Sequence, residues 1–288
     1  MTARPLGPIC WALVLAALAA GSAHAVDLRF RPRVGEEHKY SLLISGRVLS
    51  SGVDMEDSAA DFRSEGSVRI HYAVKALSET EEQTLVEVRQ LDGEATLSAE
   101  GETATVALPP FRSVFRFDRQ RESEVEDQEG GDPPDSEDMP DEVCGILAEL
   151  EVGCGMWTEA ADCLYLPKEP VEVGATWSHE GKVGDTVHTT EYKLEQLTER
   201  SGRKCAKIRA KWRTPYAITD LPGLPEEAES NAEWLRMEGL TTGEVVVFYD
   251  YENSLDVYVE GTIGSESKPE AADAGTKMLL NLKISLVE

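Results

Sequence analysis

The sequence predicts a mainly β protein, an antiparallel meander or half-barrel built from two degenerate repeats with one short helix. Three observations lead there. Several segments alternate apolar and polar residues with period two, which puts one set of side chains on a buried face and the other in water. Their polar faces distinguish them from the uniformly apolar strands of a parallel βαβ sheet. The halves on either side of an acidic stretch also share spacings. With 288 residues, 41% hydrophobic and 28% charged, the chain is long enough to bury a core and falls in the globular class.

Residues 1–25 read as a cleaved signal peptide. Arg4 is the one charge, an apolar run follows from Ile9 to Ala20, and Ala23-His24-Ala25 supplies the small-x-small cleavage pattern, leaving Val26 as the mature N-terminus. The run is shorter than the roughly 20 residues a spanning helix needs, so no transmembrane anchor is expected after cleavage. Cys10 opens the apolar run instead of following it, which excludes a lipoprotein cleavage site. The expected location is periplasmic or secreted.

An N-terminal β repeat is expected over 26–121, with its clearest strand at Val68-x-Ile70-x-Tyr72-x-Val74 and Arg69, His71 and Lys75 on the polar face. From Glu122 to Glu142, 11 of 21 residues are acidic and Gly and Pro pairs interrupt them. That composition predicts a disordered linker over 122–142. EF-hand spacing is missing from it, so calcium is not the favoured reading. A short helix follows, because Val143, Ile146, Leu147 and Leu150 recur at threes and fours behind Pro140. It opens a C-terminal β repeat, the unit spanning 143–288. Strands there are Ala206-x-Ile208-x-Ala210-x-Trp212, Leu255-x-Val257-x-Val259 and Met278 to Leu286; Glu252-Asn253-Ser254 is a hairpin connection, and Pro215 to Ser230 a loop. The repeat rests on Val34-Gly35 against Val173-Gly174, and on the 16-residue separations Tyr72 to Val88 and Tyr192 to Ile208.

Export permits disulfides, and the mature chain keeps an even number of cysteines: Cys144, Cys154, Cys163 and Cys205. One bridge within 144–163 and one from that region to Cys205 are expected. The spacings do not fit zinc, and no metal or cofactor is expected.

The run Pro170-Val171-Glu172-Val173-Gly174-Ala175-Thr176-Trp177, followed by Tyr192-Lys193-Leu194, Gly202 to Ile208 and Gly243 to Phe248, resembles a group of uncharacterised exported bacterial β-rich proteins. The resemblance covers about 165–263 and, more faintly, 28–90; it implies an exported β fold and carries no catalytic residues. At the level of fold alone, the meander with one helix is similar to the half-barrels of periplasmic lipoprotein carriers.

Chemistry is weakly marked. The motifs of serine hydrolases, zinc proteases, P-loops and dinucleotide-binding folds are missing. His38, His71, His179 and His188 stand apart in the sequence and read as surface or turn histidines. With 54 Asp+Glu against 28 Lys+Arg and a net charge of -26, nucleic acid is excluded as a partner. The leading expectation is a non-catalytic exported protein that binds a partner or scaffolds in the envelope. The alternatives are a carrier of a lipid or other apolar ligand on a concave β face formed by Tyr72, Val74, Leu194, Ile208, Trp212, Val257 and Leu282, or a hydrolase with a site of dispersed acids.

Overall fold

A computed structural model of the chain describes residues 25–51, 62–99, 102–108, 110–130, 164–183, 186–218, 237–269 and 275–287. Twelve strands form one antiparallel sheet: β1 (Glu37–Ser51), β2 (Phe62–Glu79), β3 (Gln83–Ala99), β4 (Glu102–Ala107), β5 (Phe111–Asp118), β6 (Ser123–Gly130), β7 (Thr176–Val183), β8 (Thr186–Arg200), β9 (Arg203–Ile218), β10 (Met237–Asp250), β11 (Leu255–Pro269) and β12 (Gly275–Val287). Their order across the sheet is β6-β5-β3-β2-β1-β12-β11-β10-β9-β8-β7, and β4 pairs with β3. β4 and β5 continue one register along β3. The dipeptide Pro109-Pro110, with no N–H to donate, falls between them. Leu108 bridges the gap by donating its N–H to Gly93 O at 3.0 Å.

The β2–β3, β5–β6, β8–β9 and β10–β11 turns lie at one end of the sheet. Ser201 and Gly202, both at positive φ (51° and 71°), close the two-residue β8–β9 hairpin with the left-handed pair that such a turn requires. Asp118 and Asp250 do matching work in the β5–β6 and β10–β11 turns. The Oδ1 of Asp118 accepts from the N–H groups of Gln120 and Glu122, and that of Asp250 from those of Glu252 and Asn253. The β10–β11 hairpin is the one expected at Glu252-Asn253-Ser254.

The sheet is curled. Laid flat, ten strand spacings of about 4.8 Å would set its end strands nearly 50 Å apart. Instead a strap, residues 164–171, reaches both ends: Leu166 donates its N–H to Gln120 O in the β5–β6 turn, and Trp177 of β7 donates Nε1–H to Tyr165 O at 2.7 Å. Arg121, in that same turn, makes a bidentate ion pair at 2.8 and 2.5 Å with Asp256 of β11, five strand positions away along the sheet. A second strap, 26–31, is tied to the first by the Val26–Val171 bridge and to the turns by Tyr249 Oη–H donating to Arg29 O and by Ser254. Leu28 and Leu166 are fully buried, each worth roughly 1.5–3 kcal/mol.

The inside of the curl is apolar and the outside charged. Outward residues pair across strands, as in Arg47–Glu65, Arg69–Glu94, Lys277–Glu266 and the group Lys207, Arg209, Glu195 and Glu244. A lipid-facing barrel needs an apolar outer band, and this surface is the reverse. Among the described residues no helix is long and apolar enough to cross a membrane.

Three expectations change. Residues 123–130, assigned to the acidic linker, form β6, because their carboxylates face basic residues of β5: Arg112 meets Asp127 and Glu129, and Arg116 meets Glu124 and Glu126. Pro215 to Ile218, expected in a loop, belong to β9. Cys205, expected in a bridge, is a buried free thiol whose Sγ–H lies 3.5 Å from Arg203 O. It is fully buried on β9, which lies between β8 and β10 in the sheet. The signal up to residue 24, the helix at 143–150, Cys144, Cys154 and Cys163 lie outside the described residues.

Candidate ligand cavity

Between β1, β2, β3, β5 and β12 the curl forms a partly open cavity of about 400 Å³, within the 300–1,000 Å³ usual for small-molecule sites. Its wall follows from the alternation. On β1 every second residue, from His38 through Tyr40 and Leu42 to Ile44, faces in; β2 adds Ile70, Tyr72, Val74 and Ala76. Val86 and Val88 come from β3, Phe111, Phe115 and Phe117 from β5, and Leu282 and Ile284 from β12. Tyr40 and Tyr72, cross-strand partners, stack with centroids 5.3 Å apart. Phe30 of the 26–31 strap closes the turn end against Phe117 at 5.1 Å.

The polar groups gather at that same end. Arg33, Glu36, His38, Arg121, Ser254 and Asp256 border the cavity there. The Arg121–Asp256 pair is only 12% and 14% exposed, and the Arg121 guanidinium also lies 5.7 Å from the Phe30 ring centre. Burial pushes the His38 imidazole below its ordinary value, partly countered by Glu36, whose Oε2 is 3.6 Å from Nε2. Burial likewise raises the Tyr40 phenol well above its ordinary range. The wall therefore presents an apolar surface with neutralised charges at one end, a setting that desolvates an apolar molecule without leaving a lone buried charge.

Beside the cavity the two straps pack against the sheet. Leu28, Leu164 and Leu166 from the straps join Tyr249 and the inner residues of β8–β10 in one core cluster. This divides the residues expected on a concave ligand face. Tyr72, Val74 and Leu282 border the cavity. Leu194 and Ile208 are fully buried in the core, Val257 is buried at the β10–β11 bulge, and Trp212 is half-buried over Gly243; none of the four borders the cavity.

The histidines also differ from the expectation. His71 stays on the outer face, paired with Asp92 at 2.6 Å. His38 lines the cavity, His179 stacks on Tyr165 at 4.0 Å, and His188 lies inward with its ring over Gly181. Sequence reasoning passed over the three phenylalanines of β5, whose Phe115-x-Phe117 alternation is a legible strand signal, and the Arg121–Asp256 pair, which has no local signal. Among the described residues, no group of three or more His, Cys, Asp or Glu is placed to hold a metal ion.

No family model matches the chain, and no curated protein does. Among solved structures, an outer membrane channel from Pseudomonas putida F1 is similar over 90% of this chain and 97% of that one, at 7% identity and a TM-score of 0.25.

Proposed function

We propose that this protein is an exported carrier of an apolar ligand, held between β1, β2, β3, β5 and β12. The cavity of about 400 Å³, walled by aliphatic and aromatic side chains, is the observation that carries the reading. A filled core gains more dispersion and hydrophobic energy than a hollow one, so an apolar-walled space of this size is a cost that a bound ligand offsets. The charged outer surface supports a carrier that works in water. Cleavage after Ala25 would release it to the periplasm or the exterior with Val26 leading the 26–31 strap.

The paired halves fit a duplicated meander. Val74 faces Val88 as Leu194 faces Ile208; Tyr72 stacks on Tyr40 as Tyr192 stacks on Trp177; Gly35 and Gly174 take positive φ of 87° and 95° in their turns. On this reading one copy kept its hollow and the straps pack against the other.

Mass spectrometry of an organic extract from the mature protein, purified after export by its native host and compared with a mock purification, tests the proposal. A stoichiometric apolar species absent from the mock is the expected result. A clean extract from folded protein overturns constitutive carriage and returns the envelope-partner reading to the front.

A further inference from the structure

We propose that the ligand of the β1–β3 cavity is an uncharged, oxygen-bearing apolar molecule, an ester or alcohol and not an ionised acid, whose oxygen accepts a hydrogen bond from the Tyr40 hydroxyl. This names a ligand class for the carrier reading and rests on it. Tyr40 lines the cavity and is 5% exposed. Its ring is held by the stack on Tyr72, and its hydroxyl has no hydrogen-bond partner among the described residues. Buried hydroxyls are nearly always paired, and one left unpaired costs about 1–3 kcal/mol. Here the unpaired group stands beside open space, in mid-sheet, with Tyr72 of β2 and Leu286 of β12 as its cross-strand partners.

The surroundings of that hydroxyl select against charge. The ionised groups that border the same end form pairs of opposite sign, Arg33 with Glu36 at 3.4 Å and Arg121 with Asp256. His38, two residues before Tyr40 on the same face of β1, is held toward its neutral form by burial. An ionised headgroup would lose its hydration on entering and would meet no unbalanced counter-charge among these groups. Of the Arg121–Asp256 pair, the carboxylate acts on the phenol more strongly than the guanidinium, so the field at the Tyr40 oxygen opposes an anion. Burial, followed by that same carboxylate, keeps the phenol protonated and therefore a donor. A neutral oxygen acceptor completes it.

The gradient along the wall orients the molecule. Exposure falls from Glu36 at 45% and His38 at 21% to Tyr40 at 5%, and beyond Tyr40 the wall continues through Leu42, Ile44, Ile70 and Phe115, which offer no polar side-chain group. The ligand's oxygen therefore stops at Tyr40, on the side of the turns, and its hydrocarbon part fills the space beyond.

Equilibrium partitioning of methyl decanoate, sodium decanoate and undecane onto the mature chain, quantified by mass spectrometry, tests it on the parent and on Tyr40→Phe. The parent is expected to bind the ester at least about tenfold more tightly than the acid anion. Tyr40→Phe keeps the ring and its stack and loses only the hydroxyl, so its ratio of ester to undecane affinity should fall about fivefold while undecane affinity stays within about twofold. Its melting temperature should stay level or rise, since an unpaired hydroxyl is removed. Undecane binding with an unchanged ester ratio in Tyr40→Phe, or decanoate bound as tightly as the ester, overturns the ligand class and leaves the carrier reading standing. Failure of all three probes to bind the folded parent overturns both. A Tyr40→Phe protein that melts lower or fails to fold also overturns the proposal, because the hydroxyl then serves the fold.

Discussion

Asp256→Asn removes one member of the ion pair that joins the β5–β6 turn to β11, residues 135 apart in sequence. Both partners are largely enclosed, at 12% and 14% exposure, and the contact is bidentate. Breaking such a buried pair costs about 3–5 kcal/mol, because the surviving charge stays buried without its partner; the residual exposure argues for the lower end. Against a total stability of about 5–15 kcal/mol, a loss of about 3 kcal/mol is large, and for a domain of this size it lowers the melting temperature by about 6–12 °C. Arg121→Met should cost a similar amount, since the carboxylate left behind is as enclosed as the guanidinium. The double variant Arg121→Met/Asp256→Leu should return to within about 1 kcal/mol of the parent, because an apolar pair carries no desolvation penalty. Urea unfolding of the four proteins closes the cycle. Single-variant losses under about 1 kcal/mol, the size of an exposed surface pair, would refute the reasoning. The two side chains would then not meet across the interior, and the sheet would not curl as described.

Three further expectations follow from the same structure. Ile70→Trp and Val88→Trp project into the cavity and should abolish ligand in the extract while shifting urea-unfolding stability by no more than about 1 kcal/mol, whereas Ala210→Phe, at a buried position that does not border the cavity, should cost about 1–3 kcal/mol; equal losses from both would show that the β1–β3 half is not hollow. Burial pushes the Cys205 thiol up to about 11, with Asp250 adding to it, so the thiolate fraction at neutral pH is very small; peptide mapping after iodoacetamide should find Cys205 unmodified in the native protein and modified after denaturation, and a Cys205 disulfide would contradict the structure. Hydrogen bonds from Arg209 and Lys207 hold the Glu195 carboxyl down to about 2. Its folded value lies below the ordinary 4.5, so its contribution is complete above that value and lost as the pH falls toward about 2. Discounted for solvent screening it is under about 1 kcal/mol, and the stability gap between parent and Glu195→Gln in urea should close over that window; a gap constant through it would sink the assignment.

Much of the sheet was legible in the sequence because its determinants are local. Period-two alternation at Val68 to Val74, Ala206 to Trp212 and Met278 to Leu286 set which side chains face in, since a strand turns each successive residue to the opposite face whatever its neighbours are. The polar connection at Glu252-Asn253-Ser254 marked a hairpin for the same reason. β6 was misread because composition reports average solvation, while pairing depends on which strand lies alongside: its carboxylates are held by Arg112 and Arg116, and nothing within 123–130 announces them.

The tertiary structure alone decided where the inside is empty. Tyr72, Leu194 and Leu282 carry the same alternating pattern, yet Tyr72 and Leu282 border the cavity and Leu194, fully buried, does not. That difference is made by Leu28 and Leu166, which reach the interior on straps distant in sequence, and by a curl closed through Arg121 and Asp256. Alternation along a strand fixes a direction for each side chain; the distance to whatever stands opposite is set by how far the sheet bends, and that is a property of contacts between segments that no local window contains.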